Sequence, residues 1–148
     1  MGLTSAQLPQ LAAELQADPK SLGYAAEIAA RSYAGVASLC NGTYPGVGTV
    51  WRTDLSAAEI LAALVESEVT SLTATQWTRV LTLLSPGAID ASQQRIRDQF
   101  AGIFAGKTAT LANLTAAARR AAPSRAEELW GYGVAVAEQD VANALGGL

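Results

Sequence analysis

Histidine is absent from this chain of 148 residues, and cysteine occurs once. Histidine is the commonest general base and metal ligand, and it is the usual partner of a serine or cysteine nucleophile. Cys40 lies on a predicted helix, where a buried and inert thiol is the expected state. No group of Cys, Asp or Glu has the spacing of metal ligands. We therefore predict a protein that is not an enzyme, with no catalytic residue, no metal site and no cofactor.

Charge is also scarce, since charged residues make up 16% of the chain against about a quarter in ordinary globular domains. The net charge is −3 and the basic residues are scattered, which disfavours nucleic acid as a partner. No apolar run approaches about 18 residues, so no membrane span is predicted. So few charges suggest that another molecule covers part of the surface. A coding bias towards alanine explains the same composition equally well.

Apolar residues recur at helical spacing along most of the chain. Three segments are typical of capping boxes, in which a Ser or Thr and a Glu or Gln three residues later bond each other's backbone amides. These pairs are Ser56 with Glu59, Thr73 with Gln76, and Ser124 with Glu127. The pattern predicts an all-α fold: one compact domain over residues 1–148, built from six to eight short helices. Its expected core consists of Trp77, Leu81, Leu84, Phe100, Phe104, Leu111 and Leu114.

Two segments depart from the helical pattern. Residues 131–137 (GYGVAVA) alternate as a strand does, which predicts at most one short β pairing, near Val134 to Val136. Residues 42–54 form the longest irregular loop, and Gly46 to Gly48 within it lack the Lys and Ser of a phosphate-binding loop. No small-molecule substrate is therefore predicted.

Aromatic side chains lie in loops and at helix ends, where they either complete a core or anchor an interface. We expect residues 43–51 of the loop over 42–54 to be ordered mainly when a partner is present, because ordering the glycines is costly in backbone entropy. The candidate interface residues are Tyr44, Val47, Val50, Trp51, Arg52 and Tyr132. For four other residues near the chain ends we favour the alternative, in which they simply pack on one another and close the domain. These residues are Leu22, Tyr24, Leu129 and Trp130.

The two ends of the chain carry recognisable segments: DPKSLGYA from Asp18 to Ala25, and SRAEELWG from Ser124 to Gly131. They resemble the "DPxGLGYA" and "SRAEELxGxGxxVxxxDVAxA" segments of a family of small proteins encoded by tailed bacteriophages and prophages. The resemblance covers nearly the whole chain. Its clearest departure is the loop from Tyr44 to Val50.

The resemblance implies a non-enzymatic structural component of a tailed-phage virion, in the neck or tail. Its expected partners are other phage structural proteins and copies of itself. Its expected location is the virion, and the host cytoplasm during assembly. Two alternatives stay open: an assembly factor that is absent from the finished particle, and a small host-directed effector or enzyme.

Overall fold

The computed structural model of the chain describes residues 2–146. Within them the elements, in chain order, are α1 (Leu8–Ala17), α2 (Tyr24–Ala29), α3 (Tyr33–Asn41), β1 (Thr49–Trp51), β2 (Leu55–Ser56), α4 (Ala57–Ala63), α5 (Glu66–Val69), α6 (Ala74–Leu84), β3 (Ala88–Ile89), α7 (Gln94–Ile103), α8 (Thr108–Ala118), β4 (Arg119–Ala121), α9 (Arg125–Trp130) and α10 (Glu138–Gly146). The chain is mostly helical, as the sequence predicts. Over residues 2–146 there are ten helices where six to eight were expected, partly because α5 is a single turn with no apolar repeat of its own.

The β pairing was predicted in the wrong place. The described residues contain two short pairs: β1 with β4, and β2 antiparallel to β3 with Leu55 opposite Ile89. Neither includes Val134 to Val136. The Asn41 side chain instead donates to the Val136 carbonyl and accepts from its amide, both at 2.8 Å. A side-chain amide thus supplies the two hydrogen bonds that a neighbouring strand would have made, and no second strand is needed.

Contacts along the chain divide it into two compact units, where the sequence predicted one domain. The terminal unit joins the two ends of the chain, residues 2–49 and 121–146 of those described. The central unit contains residues 50–120. The unit boundaries fall within β1 and β4, where the chain passes from one unit to the other and returns.

The core of the terminal unit is formed by α1, α2, α3, α9 and α10. Its buried side chains are Leu11, Leu15, Tyr24, Val36, Ala37, Cys40, Ala126, Val136, Val141 and Ala144. Of the four residues expected to pack together near the chain ends, Tyr24 is fully buried and Leu22 and Trp130 are partly buried. Leu129 is 38% exposed, so it does not belong to this core.

The core of the central unit contains most of the predicted residues. Leu84, Phe104 and Leu114 are buried, and Trp77, Phe100 and Leu111 pack partly buried against the cluster. Leu81 was wrongly predicted, because it is 59% exposed. On α6 the inward stripe runs through Trp77, Val80 and Leu84, and Leu81 lies about 100° round the helix from Val80, its fully buried member.

Two of the three capping boxes form as predicted. The side chains of Ser56 and Thr73 accept from the backbone amides three residues later, and the Glu and Gln at those positions reach back. In the third, Ser124 caps α9 but Glu127 accepts from the Gly133 amide at 2.7 Å instead of returning to Ser124. The turn after α9 brings that amide within reach of the carboxylate. Half of this predicted box is therefore wrong.

None of the helices in the described part of the chain has the length and apolar character needed to cross a membrane.

Candidate functional site

A buried ion pair joins the two ends of the chain inside the terminal unit. Glu14 on α1 and Arg125 at the start of α9 are each 7% exposed. Arg125 donates through Nε and Nη2 to the two carboxylate oxygens of Glu14, at 2.8 and 2.9 Å. This two-point geometry is the strongest form of an Arg–carboxylate contact. Hydrogen bonding to Glu14 raises the pKa of Arg125 despite burial, so the guanidinium stays charged.

Further polar side chains extend this ion pair. Arg125 Nη1 donates to Glu128 at 2.9 Å, and the Tyr44 hydroxyl donates to the same carboxylate oxygen. Burial works against the charge on Glu128, but the hydrogen bonds from Tyr44 and Arg125 outweigh it and lower the pKa of that carboxyl. Gly48 lies so close to Glu128 that a Cβ at this position would overlap the carboxylate. The network therefore holds Tyr44 and Gly48 of the loop over 42–54 against α9.

Cys40 lies in the same core and is unsuited to nucleophilic chemistry. Its side chain is buried, and burial raises the pKa of the thiol to about 11. The thiolate is the reactive form of cysteine, so almost none of it exists at neutral pH. Burial, followed by interactions with Cys40, likewise raises the pKa of Tyr24. Neither group is poised for proton transfer or attack.

The first of the two recognisable segments is used to build a turn. Asp18 ends α1 in the left-handed conformation, with φ of 40°, and its carboxylate accepts from the amides of Leu22 and Gly23 at 2.7 and 2.9 Å. Ser21 stands where the resembled pattern has glycine, and its φ is 55°. Glycine adopts this conformation without steric cost. The glycine that the resembled pattern has at the position of Ser21 therefore fits the backbone of this turn.

The second segment is also largely used inside the fold. Ser124 accepts from the Glu127 amide at 3.2 Å, and Trp130 Nε1 donates to Gln10 at 2.7 Å. Gly131 has φ of 104°, which a residue with a side chain rarely adopts. Two large apolar residues in and directly after this segment are different, since Leu129 is 38% exposed and Tyr132 is 46% exposed.

In the central unit, Trp51 lies between two guanidinium groups. Arg97 and Arg119 approach its ring to 4.5 and 4.4 Å from the centroid. Each such contact contributes about 0.5–1 kcal/mol at an exposed site. Arg97 is itself held by the carbonyls of Ala91 and Ser92, at 2.6 and 2.8 Å. The tryptophan is therefore fixed by its own unit.

Beside Trp51 the central unit has a cavity of about 220 Å³ that is open to solvent on one side, which we call the α7–α8 cavity. Its walls are mostly apolar and include Leu55, Ile60, Ile89, Ile96, Phe100 and Leu114. Gln94, Asp98, Ala101 and Thr115 also line it and are solvent-exposed, so they mark its rim. The site offers apolar volume and a polar rim, and its walls hold no pair of groups arranged for acid–base catalysis.

The predicted interface residues are divided between the two units. In the terminal unit Tyr44 and Val47 are half-buried and Tyr132 is exposed. In the central unit Val50 is buried, Trp51 is half-buried, and Arg52 pairs with Asp54 and Glu59 at 3.2 and 2.7 Å. The hydrogen bond to Glu59 is the main cause that raises the pKa of Arg52. Of the six, Tyr132 offers the most accessible apolar surface.

Several structural residues were missed by reasoning from the sequence. The buried role of Glu14 could have been inferred from the sequence, because Glu14 falls beside Leu11 and Leu15 on the apolar stripe of α1. A charge on such a stripe needs a buried partner. The role of Glu68 could not have been inferred in this way. Its carboxylate caps α8 by accepting from the amides of Ala109 and Thr110, at 3.0 and 2.7 Å. The bonds from Thr110 are the main cause that lowers the pKa of Glu68. A cap supplied from another helix has no local sequence pattern.

Within residues 2–146, no three side chains of the Cys, Asp and Glu types lie close enough together to hold a metal ion. A comparison with protein families, with curated proteins and with solved structures finds no match to the chain.

Proposed function

We propose that the chain is a non-enzymatic structural component of a tailed-bacteriophage virion, in the neck or tail. It acts by packing against other phage structural proteins and copies of itself in a multi-copy assembly. Its place is the virion, and before that the host cytoplasm during assembly. The phage setting is motivated by the resemblance of segments 18–25 and 124–131 to a family of small proteins encoded by tailed bacteriophages and prophages.

The observation that carries a role in protein binding is the contrast within and just after the second segment. Arg125, Glu127 and Trp130 bond to residues outside the segment, and Ser124 caps its helix. Leu129 and the adjacent Tyr132 are instead exposed. Large exposed side chains at a well-ordered helix end are typical anchors of interfaces, and aromatic residues are enriched among them. The polar residues of the segment lie inside the fold, whereas Leu129 and Tyr132 contribute exposed apolar surface.

The state of the reactive groups supports a role without catalysis. Catalytic sites usually shift pKa values towards neutrality, so that a group can gain or lose a proton during the reaction. Here the pKa of Cys40 moves up to about 11 and that of Glu59 down to about 2. Both groups keep a single protonation state over the physiological range.

Purified particles of the phage or prophage that encodes the chain provide the test. Mass spectrometry should find peptides of the chain in gradient-purified particles, in several copies per particle. Peptides that occur in complexes in the lysate but are lost from particles would favour an assembly factor. Absence from both would favour the effector or enzyme and would overturn the proposal.

A matched pair of variants tests the surface. We expect Leu129→Ser to reduce incorporation into particles without lowering the melting temperature. The control is Leu81→Ser, which removes the most exposed large apolar side chain of the central unit. Equal losses of incorporation in both variants would mean that the surface around α9 is not the specific contact with neighbouring proteins.

A second pair of variants tests the loop over 42–54. Trp51→Ala should lower the melting temperature of the isolated protein, because the ring is packed between Arg97 and Arg119. Trp130→Ala serves as the reference, because its indole packs against the terminal core. A Trp51→Ala variant that melts normally but fails to enter particles would show that Trp51 contacts a partner and is not needed for the fold.

A further inference from the structure

We propose that Asn41 is a site of spontaneous deamidation, and that its contact with Val136 controls how fast the reaction occurs. Deamidation converts the side-chain amide of asparagine into a carboxylate. Both residues lie in the terminal unit. The site does not depend on the proposed function, so either can fail without the other.

The pair formed by Asn41 and Gly42 has the sequence that favours this reaction most. The nucleophile is the backbone nitrogen of the residue that follows asparagine, and glycine has no side chain to shield it. The chain has two other asparagines, Asn113 and Asn143, which are followed by leucine and alanine. These two are less reactive by sequence, and they serve as controls within the same molecule.

The reaction balances with water as its only co-reactant. The Gly42 nitrogen attacks the side-chain carbonyl carbon of Asn41 and loses its proton, while the bond from that carbon to the amide nitrogen breaks and ammonia leaves. The product is a cyclic succinimide. Water then opens the ring at either carbonyl, which yields aspartate or isoaspartate. In isoaspartate the backbone runs through the side chain. No oxidant or reductant takes part.

The fold holds Asn41 in a geometry that opposes ring closure. Asn41 is the last residue of α3, and its backbone must leave the helical conformation before the Gly42 nitrogen can reach the side-chain carbon. Its amide group is also engaged, since Nδ2 donates to the Val136 carbonyl and Oδ1 accepts from the Val136 amide, both at 2.8 Å. The nitrogen that must leave as ammonia is therefore one of the bonded atoms.

Exclusion of water is not what protects the site. Asn41 is exposed, so water can reach the succinimide as soon as it forms. Val136 is different, because its side chain is buried in the terminal core. Breaking the contact requires the end of α3 to separate from a well-packed segment. Local openings of this kind differ in free energy from one part of a protein to another, and here they set the rate.

Each member of the reactive pair has a structural reason to be present. A Cβ at position 42 would lie 3.1 Å from the Ser38 carbonyl oxygen, which is closer than most side chains tolerate. Asn41 supplies both hydrogen bonds to the Val136 backbone. A chemically labile pair therefore occupies positions where the fold uses both residues.

The products of deamidation do not restore the contact. Aspartate has no side-chain N–H group, so the Val136 carbonyl loses its donor and faces a carboxylate oxygen instead. Isoaspartate lengthens the backbone at the end of α3 and displaces the side chain as well. A polar group left without its partner inside a protein is destabilising. Deamidation should therefore loosen residues 131–137 from α3, and refolding cannot reverse it.

The first experiment follows the unaltered chain during storage in mildly alkaline buffer, both folded and in urea. Peptide mapping by mass spectrometry measures the rate at each asparagine. In urea we expect Asn41 to react much faster than Asn113 and Asn143. In the folded chain the reaction at Asn41 should be slower than in urea by about tenfold or more, because it waits for local opening.

A matched pair of variants tests whether the Val136 contact controls the rate. Val136→Ala loosens the packing of the segment that binds Asn41, and it should accelerate deamidation several-fold in the folded chain. Val141→Ala is the control, because Val141 is buried in the same core, whereas the Asn41 side chain bonds to Val136. Both variants are stored well below their melting temperatures, so that global unfolding does not contribute.

Ion exchange then separates the deamidated chains, which carry an additional negative charge, from the intact ones. We expect the deamidated fraction to melt at a lower temperature than the intact fraction. Asn143→Asp adds the same charge at an exposed position of the terminal unit, and it should melt close to the unaltered chain.

Each measurement has a result that would overturn the proposal. Equal rates at the three asparagines in urea would show that Asn41 and Gly42 are not a reactive pair. Equal rates at Asn41 in the folded chain and in urea, or equal acceleration by Val136→Ala and Val141→Ala, would show that the Val136 contact does not control the reaction. A deamidated fraction that melts like the intact one would show that the contact survives.

Discussion

The terminal unit places two charged side chains, Glu14 and Arg125, inside its core, whereas Thr110 is the only buried polar residue in the central unit's described residues. The buried pair connects α1 to α9 across 111 positions of sequence. The central unit relies instead on apolar burial and on helix caps, most of them local. Removing two charges from water costs several kcal/mol per ion, which only near-ideal geometry offsets. The ion pair therefore favours one particular pairing of the chain ends more than it adds stability.

The largest expected effect comes from breaking the buried ion pair on one side. Arg125→Met leaves the Glu14 carboxylate buried without its partner, and it should lower the free energy of unfolding by about 3–5 kcal/mol. Urea unfolding at neutral pH measures this. Lys20→Met, an exposed change in the same unit, should stay within about 0.5 kcal/mol.

The double variant Glu14→Leu with Arg125→Met sharpens this test, since an apolar pair of similar size is often as stable as the ion pair. We expect most of the lost stability to return. A double variant as unstable as Arg125→Met would mean that the arginine acts through contacts other than the charge on Glu14.

The central unit should respond most strongly to loss of apolar volume. Phe104 is fully buried, so Phe104→Ala should cost about 3–5 kcal/mol. The sequence alone led to the same expectation for Phe100, but that side chain is partly buried and lines a cavity. Phe100→Ala should therefore cost less, about 1–2 kcal/mol. Equal losses in urea unfolding would contradict the burial difference between the two rings.

Local caps should matter less than the core. Thr73→Ala removes the side chain that accepts from the Gln76 amide at 3.1 Å, and it should cost about 1 kcal/mol. Thr75→Ala, an exposed change two residues later, should stay within about 0.5 kcal/mol. Thermal unfolding of the two variants side by side distinguishes a cap from a general effect of removing a threonine.

A smaller effect of opposite sign is expected at the Asp18 turn. Ser21 has φ of 55°, which costs a residue with a side chain about 1 kcal/mol. Ser21→Gly relieves this cost but loosens the unfolded chain, so the net gain should be about 0.5 kcal/mol at most. Ser38→Gly, the same change at an exposed helical position, should instead destabilise by about 0.5–1 kcal/mol. Destabilisation at both positions would argue against relief of strain at Ser21.

The smallest effect is a dependence on pH in the central unit. The hydrogen bond from Arg52, followed by those from Ser56, lowers the pKa of Glu59 from 4.5 to about 2. Because the folded pKa is below the unfolded one, the contribution is complete above pH 4.5 and is lost as the pH falls to about 2. An NMR titration of the Glu59 side chain should give this midpoint. Arg52→Gln should move it back towards 4.5, and an unchanged midpoint would show that the arginine is not its main cause.

Much of the secondary structure follows from short segments of sequence. Ser56 and Thr73 open α4 and α6 where the sequence predicts them. These features depend on residues within about four positions of each other, and such local rules hold wherever the segment lies. The same reasoning failed at Val136, because its hydrogen-bonding partner is Asn41 and not a strand.

The candidate site was less predictable than the helices. Tyr132 and Val50 are both candidate interface residues from the sequence, and the structure leaves Tyr132 exposed and Val50 buried. The cavity beside Trp51 was not foreseen, since its walls come from elements spread over residues 51–118. A cavity forms where side chains from distant segments pack incompletely, so no single segment of sequence predicts it.

The helical class, the helix boundaries set by caps and turns, and the lack of histidine chemistry can all be read from the amino-acid sequence. The pairing of Glu14 with Arg125, the cap that Glu68 provides for α8, the division into two units and the position of the cavity can be read only from the folded chain. The two groups differ in how far along the chain the interacting residues lie. Backbone conformation responds to neighbours a few residues away, whereas burial and ion pairing depend on which distant surfaces meet, and that choice is made by the whole chain.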